Sequence, residues 1–89
     1  MSAAEARRAI EAVWGIESPR LLGALTRVVR DIDLAEEFAA DAFVAALAQW
    51  PDEGIPRNPG AWLMSVAKRR AIDRFRRDAL LERKHEQLG

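Results

Sequence analysis

Eighty-nine residues make one small domain, able to bury only roughly 60 % of the surface its unfolded chain exposes. The chain has no cysteine, which excludes a disulfide framework and a thiolate metal site. No apolar run approaches the roughly 20 residues needed to cross a bilayer, and no signal-peptide pattern opens the chain, so a cytoplasmic location is expected.

The formal charge is zero but unevenly placed. Ahead of Arg57 ten acids face five bases, about −5; from Arg57 onward nine bases face four acids, about +5. A neutral total hides a dipolar molecule, with one end suited to a polyanion and the other to a basic or polar protein surface. Hydrophobic residues make up 49% of the chain, mostly Ala and Leu with no Tyr, a composition that favours helices over a sheet. The expected fold is all-α: a compact bundle of three main helices plus an N-terminal helix.

Ala3 to Trp14 reads as that N-terminal helix, with Ala9, Ile10, Val13 and Trp14 on one side. Gly15 to Ser18 is expected to interrupt it. Ser18 then offers an N-cap and Pro19 a first helical position. Leu21, Leu22, Leu25, Val28, Val29 and Ile32 recur at spacings of three and four, the apolar stripe of an amphipathic helix.

Asp33 and Glu36 fit a capping box for the next helix, which should run to about Gln49. Its inner face comprises Leu34, Phe38, Ala42, Ala46 and Leu47, with Ala39 and Phe43 beside them. Glu37 and Asp41 share a face with Val44, and like charges four apart are mildly unfavourable. Such a pair is either tolerated at the surface or kept for a partner. Three prolines and a glycine in Pro51–Pro59 predict a stiff, non-helical loop.

Asn58 caps the last helix, with Pro59 at its first position and an end near Gln87. Met64, Ala67, Ala71, Ile72 and Phe75 fall on its inner sector. The expected core is Leu22, Leu25, Val29, Phe38, Phe43, Leu47, Ala67, Ala71 and Phe75. Arg69, Arg70, Asp73, Arg76 and Arg77 fall opposite the inner sector, with Trp62 and Ser65 at the N-terminal end of that outer face. Arginines serve both phosphates and base edges, and an indole can stack on an unpaired base. Trp62 fits either such a surface or a buried packing role. Asp73 either holds Arg69, Arg70 or Arg77 or accepts from a cytosine amino group. The lone His85 is expected in solvent. No metal cluster, nucleophile–base pair or phosphate-binding glycine loop is present, so neither catalysis nor a cofactor is expected.

Two motifs together resemble region 2 of an extracytoplasmic-function (ECF) sigma factor, a bacterial transcription initiation subunit. Asp33-Leu34-Ala35-Glu36-Glu37-Phe38-Ala39-Ala40-Asp41-Ala42-Phe43 is similar to the family's acidic helix. Trp62 to Ala67, then Arg70-Ala71-Ile72-Asp73-Arg74 and Arg76-Arg77, resembles its promoter-melting and minus-ten-reading helix. The resemblance implies that Glu36, Glu37, Ala40, Asp41 and Val44 meet the beta-prime clamp coiled coil of RNA polymerase core. It implies that Arg57, Asn58, Trp62, Ser65, Arg69, Arg70, Asp73, Arg76 and Arg77 meet the non-template strand of the minus-ten element. The Pro51–Pro59 loop would receive a base turned out of the stack. An anti-sigma factor or a C-terminal regulatory extension is a further candidate partner, and no membrane is implied.

The chain departs from the pattern at Ala40, where the family often has Gln, and at Arg69, where it often has Asn. No second helix-turn-helix domain follows, so residues 1–89 are expected to be the N-terminal part of a larger sigma factor. The competing readings are a helix-turn-helix repressor, which needs a shorter turn before its recognition helix, and a helical protein-interaction regulator without a nucleic-acid role.

Overall fold

Three helices account for nearly all of residues 2–88, the part described by this computed structural model. They are α1 (Ala3–Val29), α2 (Ile32–Glu53) and α3 (Pro59–Leu88). All three pairs of helices are in contact, with α2 touching both α1 and α3 most extensively. The all-α expectation holds, but the N-terminal helix is not separate.

Helix α1 runs without interruption through Gly15, Ser18 and Pro19. Its cap is Ser2, whose Oγ accepts from the Glu5 N–H at 3.1 Å; Ser18 caps nothing. A proline inside a helix costs about 3 kcal/mol in lost hydrogen bonding and ring clash. Here Pro19 is exposed, while Ile10, Leu21 and Leu25 on either side of it are buried. Burial of that continuous stripe outweighs the local penalty. The helix ends at Arg30, in the left-handed conformation with φ 61°, its N–H donating to the Thr26 carbonyl.

Asp31, not Asp33, caps α2: its Oδ1 accepts from the Leu34 N–H at 3.1 Å. Asp33 instead lies in the first turn, where an acid suits the positive end of the helix dipole. The helix continues past Gln49 and through Pro51, because Trp50 is buried and anchors the final turn. Gly54 stops it with φ 88°, a conformation that L side chains rarely adopt. Only Gly54 to Asn58 link α2 and α3, so the non-helical segment is shorter than the three prolines imply. Asn58 does cap α3, accepting from the Ala61 N–H at 3.1 Å, with Pro59 first in the helix.

The core is built from Ile10, Leu21, Leu25, Ala35, Phe38, Ala39, Ala42, Ala46, Trp50, Leu63, Ala67 and Ala71. Its many alanines let the three backbones approach closely. Leu25, Phe38, Ala67 and Ala71 are buried as expected, whereas Leu22, Val29, Phe43 and Leu47 are half-buried at the rim. Phe75 is 45% exposed and Ile72 49% exposed. They lie where α3 leaves the bundle: beyond Ala71 no residue of α3 is buried. Phe75 keeps one edge-on contact with Phe38, centroids 6.3 Å apart. Helix α3, about 45 Å long at 1.5 Å per residue, therefore projects its basic second half into solvent, and His85 lies exposed in its last turn.

Candidate nucleic-acid interface and its acidic neighbour

Leu63, Ala67 and Ala71 form the buried line of α3. Positions two further along point to the opposite side of a helix, and these are Ser65, Arg69 and Asp73. All three are exposed, as are Arg70, Arg76 and Arg77, but Arg70 and Arg77, expected opposite the inner sector, lie along the seam with α2. The inner line of small apolar residues thus aims the outer line of polar ones.

Ion pairing divides the bases of this helix into two groups. Arg74 sits 3.1 Å from Glu37 of α2 and 3.5 Å from Asp78 one turn on. Arg69, Arg70, Arg76 and Arg77 have no carboxylate within 4 Å among the described residues. Asp73, expected to hold Arg69, Arg70 or Arg77, makes no ion pair among the described residues either. It borders a shallow depression of about 140 Å³ with Arg70, Arg74, Arg77, Glu37, Phe38 and Asp41. The acidic and basic faces therefore meet along the α2–α3 seam and do not occupy opposite ends of the molecule.

On α2, Glu36, Glu37, Ala40 and Val44 are exposed and Asp41 is half-buried. Glu36 and Ala40 also border an apolar groove of about 380 Å³ with Trp14, Pro19, Leu22 and Ala39. Sequence reasoning placed Trp14 on an apolar helix side, Pro19 at a helix start and Leu22 in the core, and none of them at a surface groove. The half-burial of Trp14, stacked on Phe43 at 4.7 Å between centroids, arises only when α1 and α2 are paired. Nothing in α1 by itself signals it.

At the amino end of α3, Arg57 is exposed, and the Asn58 carboxamide oxygen is committed to its cap. The Glu17 carboxylate lies against Gly60. An acid there complements the helix dipole and opposes a phosphate at that terminus. Trp62 is half-buried and meets the buried Trp50 edge to face, centroids 5.1 Å apart. Of its two readings, the packing role is the one this contact favours. Among the described residues no group of His, Asp or Glu is placed to hold a metal ion, and no helix is long and apolar enough to cross a membrane.

A family model described as Sigma-70 region 2 matches residues 16–80. The chain is 46% identical over 61 residues to an uncharacterized protein of Rhizobium meliloti, covering 68% of this chain and 14% of that protein. It is 33% identical over 85 residues to the ECF RNA polymerase sigma factor SigK of Mycobacterium sp. strain KMS, covering 91% of this chain and 42% of the relative. A SigK of strain JLS matches to the same extent. The chain thus spans less than half the length of these curated relatives, and no solved structure gives a significant match. With about half of α1, all of α2 and about three quarters of α3 inside the matched segment, the chain belongs to the sigma-70 region 2 family.

Proposed function

We propose that this domain binds the clamp of bacterial RNA polymerase core through α2 and meets the non-template strand of the promoter minus-ten element through α3. The observation that carries the reading is the set of four exposed arginines without acid partners among the described residues, Arg69 and Arg76 on the side of α3 away from the core and Arg70 and Arg77 along its seam with α2. Each is free to exchange water for phosphate or a base edge. Glu36, Glu37, Ala40, Asp41 and Val44 offer an acidic, partly apolar surface to the basic side of the clamp, where charge complementarity speeds and orients docking. The apolar groove beside Glu36 and Ala40 extends that surface onto α1.

The Gly54–Asn58 link is short and holds Pro56. Its stiffness suits a receptor for an unstacked base, since extrusion costs a few kcal/mol and a pre-ordered loop adds no ordering cost. Chemistry belongs to the polymerase, and the domain acts in the cytoplasm. The five-residue link removes loop length as an argument against a helix-turn-helix repressor. The family match and the acidic α2 face favour the sigma reading instead.

Capture of core polymerase by the immobilised domain tests the reading. Asp41→Arg should weaken capture by more than about 1 kcal/mol, the scale of an interface charge in a partly desolvated contact. Unchanged capture by a folded Glu37→Arg, Asp41→Arg double variant removes the clamp assignment.

A further inference from the structure

Arg74 is held by two acids. Its Nη1 donates to Oε1 of Glu37 at 3.1 Å, across the seam between α2 and α3, and its Nε lies 3.5 Å from Oδ2 of Asp78. The three side chains keep 38% (Arg74) and 53% (Glu37 and Asp78) of their surface in water. Ion pairs so exposed add little to stability and exchange readily with other partners. Glu37 belongs to the acidic face, and Arg74 lies on the basic helix between Arg70 and Arg77. Each residue therefore masks a charge that the other's interface would use.

We propose that the Glu37–Arg74 pair is an exchangeable link between the two interfaces. A basic group of the polymerase that draws Glu37 away uncovers Arg74 for a DNA phosphate. A phosphate that takes Arg74 leaves Glu37 free for the polymerase. Such coupling is reciprocal: each partner strengthens the other's binding by the same factor. One exposed pair sets that factor at about two- to five-fold. This inference rests on the sigma reading and assigns Arg74 a phosphate contact that is stronger in the ternary complex than with DNA alone.

The test measures binding of a fluorescent single-stranded minus-ten oligonucleotide, at low salt, with and without core polymerase. Glu37→Gln should tighten binding to DNA alone by about two- to five-fold and steepen its log–log salt dependence by about 0.7, one added single-strand phosphate contact. Arg74→Gln should weaken binding in the presence of core by about two- to five-fold more than it weakens binding to DNA alone. The proposal is overturned if Glu37→Gln, with helix content retained, binds DNA alone no better. It is equally overturned if Arg74→Gln loses affinity equally with and without core. Failure of the unaltered chain to bind either core or DNA would remove the sigma reading itself, and the link with it.

Discussion

Trp50 and Trp62 meet edge to face across the α2–α3 turn, ring centroids 5.1 Å apart, and the buried Trp50 Nε1 finds no acceptor among the described residues. The pair packs the last turn of α2 against the first turn of α3. An unpaired buried donor costs about 1–3 kcal/mol, so Trp50 contributes ring area while its N–H works against it. Trp50→Phe should therefore cost less than about 1.5 kcal/mol, since the lost area is offset by removing the orphaned donor. Trp50→Ala should cost about 3–5 kcal/mol. Urea denaturation of both variants checks this; equal losses would mean that the indole nitrogen is satisfied in solution.

Asn58 separates folding from binding. Its side chain caps α3, so Asn58→Ala should lose about 1 kcal/mol of stability. Asn58→Asp keeps the capping oxygen and adds a charge that suits the helix dipole, so its stability should be retained. The same charge stands beside Arg57 at the proposed DNA loop, and oligonucleotide affinity should fall in the aspartate variant. Thermal melts beside DNA titrations decide; an aspartate variant with full DNA affinity would place this loop away from the strand.

Gly54 gives a sharper stability test. With φ 88° and no atom within 4 Å of an added Cβ, Gly54→Ala is penalised by backbone conformation alone. The expected cost is about 1–3 kcal/mol. A melt unchanged from the parent would mean that the turn relaxes freely and that α2 ends earlier in solution.

The helices were legible because their apolar spacing is strong: Leu21 and Leu25, Phe38 and Ala42, Ala67 and Ala71 are each four apart and all buried. The Asn58-Pro59 start was legible too, since a capping side chain and a preset φ act locally. Pro19 and Pro51 misled because breaker rules are local, whereas the burial of Leu21 and Trp50 beside them is tertiary. Asp31 and Asp33 both suit a cap by composition, and the left-handed Arg30 before Asp31 decides between them. Charge pairing was least legible. Spacing along α3 alone pointed to Asp73 as the partner of nearby arginines, yet the register of α2 against α3 joins Arg74 to Glu37.

The roles proposed for the exposed arginines differ in a measurable way. Ser65, Arg69 and Asp73 lie along one exposed line of α3, with Arg70, Arg76 and Arg77 flanking it. On the proposed reading, Arg69 reads a base and Arg70, Arg76 and Arg77 mainly hold phosphates. Loss of a phosphate contact weakens all sequences alike and flattens the salt dependence by about 0.7 in log–log slope. Loss of a base contact costs about 1–3 kcal/mol on the preferred strand and much less on a scrambled one. Arg76→Ala and Arg77→Ala should show the first pattern and Arg69→Ala the second, measured in assembled holoenzyme with preferred and scrambled oligonucleotides. If Arg69→Ala lowers affinity equally for both strands and flattens the slope, Arg69 is a phosphate clamp, and base selection lies with the loop around Arg57.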